Sequence, residues 1–323
     1  MLRFDKLKIV SSIENISCIN ENEFQSIIKD GVIQEQKYST QSPYSLYIEV
    51  DYRDRELILE FSGKILKDDY PNLIHRDNIH SCLSNINDLG LCKLNIKSIL
   101  ADGVVVKADV CQDVDYPDCK ALTKSLRANV SNFNKYLART IGDNFVIEKN
   151  VQTKSYKRRL TIYDKEKELQ KAGNRSFISS LDNPQLLLDY FNGKIRFELN
   201  LNSKEQIRRS LNIADTSIQS VFGSDATPIW DILDNIIVER DEDVACSDIG
   251  ELKNRLLLEH CGNDLAKVES LLRNYYSKGT HISQVMKPYR ALAAKLSENL
   301  TPTLKQQLRN LLLEIVILIG IFI

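Results

Sequence analysis

Arg158-Arg159-Leu160-Thr161-Ile162-Tyr163-Asp164-Lys165-Glu166-Lys167-Glu168-Leu169 reads as a strand that stops at a tyrosine and gives way at once to a charged helix. Side chains alternate across a strand, so Arg159, Thr161 and Tyr163 share one face while Arg158, Leu160 and Ile162 share the other. The leucine and isoleucine anchor their face to a core, which leaves Tyr163 on the polar face at the strand's end. A tyrosine held there among Lys and Arg can serve as a covalent nucleophile toward a phosphodiester. The alternative is a strand-end ring, half buried, with its hydroxyl in water.

Two neighbouring runs carry matching patterns. In Ile195-Arg196-Phe197-Glu198-Leu199-Asn200-Leu201 the apolar residues take a core face, and Arg196, Glu198 and Asn200 share the polar face. Glu198 can there be a ligand, a base, or half of a cross-strand ion pair worth less than about 1 kcal/mol. Val104 to Cys111 is the most β-branched run of the chain, and its continuation puts Asp109, Cys111 and Asp113 on one face, with Asp115 and Asp118 following. Carboxylates spaced by two converge on one side of a strand, which suits a hard divalent cation; acids at a strand end that simply meet water are the plainer reading.

Further out, Leu46–Val50 and Glu56–Phe61 are expected to pair as strands across a turn at 51–55. The first 35 residues are expected to hold a short strand and a helix. Arg76 to Leu89 has helical spacing and stops at Gly90. Lys93 to Asp113 is predicted to be a hairpin turning at Asp102-Gly103, Ala121 to Thr140 a long helix, Phe145–Glu148 a strand, and Asp164 to Ala172 a helix capped near Gly173. After Ser203 the β signal fades and helical patterns run from Pro228 to the end. The expected architecture is therefore α+β: residues 1–205 form a mainly antiparallel sheet with flanking helices, a linker covers about 206–227, and residues 228–323 form a helical C-terminal domain.

The 323-residue, 37.0 kDa chain carries 43 Lys and Arg against 44 Asp and Glu, so any nucleic-acid binding must come from a local patch. Lys154, Lys157, Arg158, Arg159, Lys165, Lys167, Lys171 and Arg175 supply one; Lys120, Lys124, Arg127, Lys135 and Arg139 supply a second. The seven cysteines are scattered, odd in number and form no CxxC pair, which argues against a zinc ribbon or a disulfide framework and for reduced thiols in a cytoplasm. The first residues lack the apolar core of a signal peptide. The apolar stretch Leu311 to Ile323 is shorter than the roughly 20 residues of a membrane span, and is read as a helix end packed on its own domain or on a second copy of the chain, which would make a homodimer. An altered reading frame and a membrane anchor rank below that. The four histidines do not cluster, and neither HExxH nor a Walker-type glycine loop is present, so a metal would be held by Asp and Glu and would be Mg²⁺ or Mn²⁺.

The succession Leu59-Glu60-Phe61-Ser62-Gly63-Lys64-Ile65-Leu66, then Ala108-Asp109-Val110-Cys111-Gln112-Asp113, then Leu160-Thr161-Ile162-Tyr163-Asp164-Lys165-Glu166-Lys167-Glu168-Leu169, then Ile195-Arg196-Phe197-Glu198-Leu199 resembles the replication initiators of rolling-circle plasmids and phages. The gene II/X type of filamentous phages and the trans-acting plasmid Rep nickases are the nearest in pattern, and the likeness covers about residues 45 to 205. It implies a Rep nickase-like fold and an enzyme that nicks one strand at an origin, leaves a 5′-phosphotyrosine, and rejoins the ends by a second transesterification. By that resemblance Tyr163 is the nucleophile, with Lys165 and Lys167 facing the scissile phosphate. Asp109, Asp113 and Glu198 are the metal ligands for Mg²⁺ or Mn²⁺, and Lys157, Arg158, Arg159 and Arg196 contact DNA. The implied partners are origin DNA, single-stranded or as an extruded hairpin, and host helicase and polymerase; no membrane is involved. Many relatives bind metal through paired histidines on a strand, which this chain lacks. A non-catalytic DNA-binding replication or regulatory protein is the alternative from another class, and a hydrolytic nuclease without a covalent step is a third.

Overall fold

The computed structural model describes residues 1–116, 118–130, 135–151, 153, 158–237, 246–261, 264–276, 281–298 and 304–314. In chain order these residues form β1 (Phe4–Ser12), β2 (Ile16–Ser17), β3 (Gln25–Lys29), β4 (Val32–Thr40), β5 (Leu46–Asp51), β6 (Glu56–Ser62), α1 (Ile79–Asp88), β7 (Lys93–Leu94), α2 (Ile96–Asp102), β8 (Val104–Asp115) and α3 (Cys119–Asn129). Then come β9 (Tyr136–Ile141), β10 (Asn144–Lys149), β11 (Arg159–Asp164), α4 (Lys165–Leu169), α5 (Arg175–Ser179), α6 (Pro184–Phe191), β12 (Lys194–Leu201), α7 (Lys204–Leu211), α8 (Ile218–Phe222) and α9 (Pro228–Ile236). The last helices are α10 (Ile249–His260), α11 (Leu265–Arg273), α12 (Ile282–Val285), α13 (Lys287–Glu298) and α14 (Leu304–Arg309).

Among the described residues, ten strands make one sheet in the order β3-β4-β5-β6-β1-β8-β12-β11-β10-β9, and every neighbouring pair is antiparallel. The fold is α+β, as the sequence predicts. One face of the central strands is apolar: Ile195, Phe197, Leu199 and Leu201 of β12 and Leu160 and Ile162 of β11 are all buried. Helices α7, α8 and α9 pack on β8 and β12. On the other face, α4–α6 and the 3₁₀ segment Gly63–Asn72 enclose a cluster of Tyr70, Leu73, Cys111, Leu169, Phe177 and Phe191. That cluster covers one end of the polar face.

Several expected elements take another form. Asp102-Gly103 is a helix end and not a hairpin turn. The Asn95 side chain caps α2 by accepting from Ser98 N, Gly103 N–H closes the helix on Ile99 O at 2.8 Å, and the Asp102 carboxylate accepts from Ser11 Oγ at 2.7 Å and Asn15 Nδ2 at 2.9 Å. Lys93–Leu94 pairs instead with Ile16–Ser17. The long helix expected to Thr140 stops at Asn129, and 136–141 is β9, joined to β10 by a turn with Gly142 at φ +61°. Leu137 and Ile141 stand at helical spacing, but both are outward side chains of that strand, 47 % and 45 % exposed. The 164–172 helix is shorter, with Asp164 as its N-cap.

The chain divides into two compact units: one comprises Met1–Val238 together with Leu308–Ile323, the other Glu239–Gln307. The first boundary falls beyond the linker expected at 206–227, because α7–α9 are amphipathic and bury their apolar sides against the sheet. The second unit has its own small core of Leu258, Val268, Met286, Tyr289 and Leu292. In the first unit Leu308 and Leu312 are buried, and Gln112 Nε2 of β8 donates to Leu312 O at 2.9 Å. The rest of the apolar tail, 315–323, lies outside the described residues. All seven cysteines are free, and among the described residues no helix is long and apolar enough to cross a membrane.

A Cβ on Gly103 would lie 2.4 Å from Ile99 O and 2.7 Å from Ile218 Cδ1. Gly103→Ala is therefore expected to cost about 2 kcal/mol or more, read as a lower urea midpoint with unchanged slope.

Candidate active site

The polar face of β8, β12 and β11 is a grid fixed by register. Across β12 and β8, Arg196 pairs with Asp113, Glu198 with Cys111 and Asn200 with Asp109. Across β11 and β12, Tyr163 pairs with Arg196, Thr161 with Glu198 and Arg159 with Asn200. Directly opposed side chains in an antiparallel pair lie about 5 Å apart, and diagonal neighbours remain within reach of long side chains.

The grid is anchored by Arg196, which is fully buried. Its Nε and Nη2 donate to Asp113 Oδ1 and Oδ2 at 2.7 and 2.8 Å, a bidentate pair. Its Nη1 donates to Asp5 Oδ1 at 2.7 Å and to Tyr70 Oη at 3.0 Å. Asp5 reaches this face because β1 carries a bulge between Phe4 and Lys6, which re-aims the side chain. Burial pushes the Asp5 carboxyl up, but Arg196 and Lys165 outweigh it and hold it below its ordinary value. Burial alone would lower the Arg196 guanidinium, yet Asp113, Tyr70 and Asp5 raise it well above its usual range.

Beside this anchor runs a second chain of hydrogen bonds. Tyr163 Oη donates to Glu198 Oε2 at 2.7 Å, and Asn200 Nδ2 donates to Glu198 Oε1 at 3.1 Å and to Asp109 Oδ1 at 2.8 Å. One phenol, two carboxylates and one amide are thus joined across three strands. Burial, then the Glu198 charge, pushes the Tyr163 phenol well above its ordinary value, so it is protonated at rest. Burial and Glu198 likewise raise the Asp109 carboxyl to about 7, against the opposing Asn200 bond. Tyr163 is 8 % exposed. The cleft bordered by Asp109 and Asn200 does not include it among its lining residues.

The sequence-predicted residues separate into those inside this constellation and those outside. Tyr163, Glu198 and Asp109 come together. Arg196 is on the same face but is fully buried and bound by carboxylates, so it holds the site's frame instead of meeting DNA. Asp113 is committed to Arg196, so it does not join Asp109 and Glu198 as a ligand. Lys165 is buried, donates to Glu168 Oε2 at 2.6 Å, and sits 5.9 Å from the Tyr163 ring centroid. Lys167 is exposed and pairs with Asp164 Oδ2 at 3.0 Å. The helix begins at Lys165, and residues two apart on a helix do not share a face, so the two lysines part company. Arg158 Nη1 donates to Ser210 Oγ of α7 at 2.9 Å, which places it on the opposite side of the sheet. Arg159 stays on the Tyr163 face, 3.8 Å from Glu148 Oε1. Lys157 lies outside the described residues. The sequence reading missed Asp5, Tyr70, Lys64, Glu168 and Asn174; Lys64 donates to Asn174 Oδ1 at 2.7 Å, and Asn174 Nδ2 donates to Glu168 Oε1 at 3.1 Å.

Asp109 and Glu198 fit a hard divalent cation: two carboxylates share one amide donor, and burial, then the Glu198 charge, raises the Asp109 carboxyl. Another acidic group, Glu35, Glu49 and Asp51, brings its oxygens within 4.8 Å of one another. There the Lys37 ammonium contacts Glu35 and lies 3.1 Å from Glu49 Oε1, and Arg53 Nη2 lies 3.7 Å from Asp51 Oδ2, so two cations already offset part of the charge.

No family model matches the chain, and no curated protein matches it. Among solved structures, one described as "Structure of Rolling Circle Replication Initiator Protein from Geobacillus stearothermophilus" aligns over 75 % of this chain and 89 % of that chain, with 13 % identity and a TM-score of 0.36. An overlap that low carries no conclusion about this chain.

Two outcomes are expected. Between pH 4 and about 7 the folded state keeps an Asp109 proton that the unfolded state has released, so metal-free stability falls as pH rises through that window. Asp109→Asn removes the slope and should make the metal-free protein more stable than native at pH 8 by about 1–2 kcal/mol, discounted for solvent screening, in urea titrations. Asp113→Asn leaves the Arg196 charge underpaired and should cost about 3 kcal/mol by the same measurement.

Proposed function

We propose that the chain is a metal-dependent DNA nicking and joining enzyme that initiates rolling-circle replication, with Tyr163 as the nucleophile. The observation that carries this reading is the 2.7 Å hydrogen bond from Tyr163 Oη to Glu198 Oε2, linked through Asn200 to Asp109. A phenol attacks poorly until its proton has somewhere to go. Glu198 Oε2 is the acceptor already in place, while its Oε1 faces Asn200 and Asp109.

On this reading a backbone phosphate approaches Tyr163 while the phenol stays hydrogen-bonded to Glu198 Oε2. The Tyr163 Oη–P bond forms, the P–O3′ bond breaks, and the phenol proton passes to Glu198. The departing O3′ takes a proton from solvent and becomes a 3′ hydroxyl; the reverse attack of a 3′ hydroxyl rejoins the strand. Mg²⁺ or Mn²⁺ held by Asp109 and Glu198 would polarise the phosphate oxygens as a Lewis acid. Lys165, over the Tyr163 ring and locked to Glu168, positions the ring and adds positive charge beside the nascent phosphotyrosine. The phosphodiester energy stays in the tyrosyl ester, so no nucleotide cofactor is required. Origin DNA is the substrate, and host helicase and polymerase are the partners.

The 8 % exposure of Tyr163 favours one competing reading, a non-catalytic DNA-binding protein in which this phenol only braces the sheet. Incubation with Mn²⁺ and a random single-stranded DNA library separates the two. Nicking predicts a denaturation-resistant protein–DNA adduct that vanishes in Tyr163→Phe and with chelator, and forms about 100-fold more slowly in Glu198→Gln. DNA binding without any adduct supports the non-catalytic reading, and an adduct that survives in Tyr163→Phe means the nucleophile is another residue.

A further inference from the structure

The proposed reaction uses none of the basic residues on β1. Lys6 and Lys8 alternate onto the polar face, where Lys8 pairs with Lys107 of β8 and Lys6 with Asp109. All three ammonium groups gather on one carboxylate: Glu60 Oε1 lies 2.8 Å from Lys6 Nζ, and Glu60 Oε2 lies 3.8 Å from Lys8 Nζ and 4.0 Å from Lys107 Nζ. Burial pushes the Glu60 carboxyl up, but Lys6, Lys107 and Lys8 outweigh it and hold it below its ordinary value. Three lysines against the two carboxylates of the cleft, Glu60 and Asp109, leave positive charge in excess. These residues line a cleft of about 150 Å³ whose far side is Asp109 and Asn200. A single water takes up about 30 Å³ of liquid, so the cleft has room for a larger, hydrated anion.

We infer that Lys6, Lys8 and Lys107 form a pocket for one backbone phosphate of the same DNA strand that reacts at Tyr163, a phosphate beyond the one adjacent to the reacting phosphate. Its occupant rests on the nicking reading; the pocket's charge and shape do not. From β1 to β11 is three strand spacings, roughly 14 Å at about 4.8 Å each, so a phosphate seated here is distinct from the one Tyr163 attacks. Lysines serve as point charges that hold phosphates without reading bases, which is the task of setting where along the strand the reacting phosphate falls. Glu60 tempers the pocket: it keeps the three ammonium groups together and competes with the phosphate for them.

The test uses full-length protein in a Tyr163→Phe background, so that covalent capture does not enter, with a fluorescein-labelled oligothymidylate and anisotropy read across a salt series. Lys6→Gln with Lys107→Gln is expected to weaken binding about five-fold or more and to flatten the dependence of log K on log salt by about 0.7, the value for one phosphate contact on a single strand. Glu60→Gln is expected to tighten binding, which a purely structural role for the cluster would not produce. Lys107→Gln alone keeps the test valid should the double variant unfold, since Lys107 is the most exposed of the three. Unchanged affinity and slope in folded lysine variants overturns the pocket. Inorganic phosphate that competes in the parent protein but not in the variants, while the oligonucleotide binds both alike, overturns its assignment to a DNA strand. A lysine effect without any tyrosyl adduct in the native protein sinks the nicking reading alone; an adduct without a lysine effect sinks the pocket alone.

Discussion

A guanidinium with no contact to solvent holds this sheet in register. Arg196 ties β12 to β8 through Asp113, to the bulge of β1 through Asp5, and to the 3₁₀ segment through Tyr70. Around it the buried and half-buried charges balance: Arg196, Lys165 and Lys64 against Asp113, Asp5 and Glu168. Taking such charges out of water costs several kcal/mol per ion, and only a complete set of partners offsets it. A one-residue slip of β12 would turn Arg196 into the apolar layer under α7–α9, so the network specifies register more firmly than packing alone could.

The same anchor decides what the neighbouring grid positions are free to do. Because Asp113 is bound through both oxygens, the acids of this face without a guanidinium partner are Glu198 and Asp109, one and two rows farther along. Because Lys165 is drawn down onto Glu168, the Tyr163 ring has a fixed cation beside it and a single polar outlet, the Glu198 carboxylate. The electrostatics then divide by location: a neutralised, rigid end under α4–α6, and an open end where Asp109 meets the lysines of β1 and β8.

Alternation made β8, β11 and β12 legible, and with them the shared face of Tyr163, Asp109 and Glu198, because a period of two needs no knowledge of partners. What alternation could not supply was register. Asp113 reads as a ligand until it is known to stand opposite Arg196. Asp5 is invisible for a related reason: it reaches the site through a bulge, which breaks the alternation that sequence reading relies on. Asp102-Gly103 carries a hairpin signal, but Asn95 seven residues earlier caps a helix that ends on the same glycine. Lys165 and Lys167 share a face in an extended chain and lose it one residue after the strand gives way to α4. The expected 206–227 linker reflects a fading β signal, whereas the amphipathic helices there belong to the sheet's own core.

The chain leaves the sheet-containing unit at Val238 and returns to it at Leu308, where Leu308 and Leu312 are buried and Leu312 accepts a bond from β8. The helical unit is thus an insertion within the fold and not an appendix to it. Cutting the gene off after the ninth helix would strip the sheet-containing unit of its closing segment, whereas excising the insert and splicing its two ends would preserve that segment. The sheet could in this way accept exchange of one helical module for another without losing its own last segment.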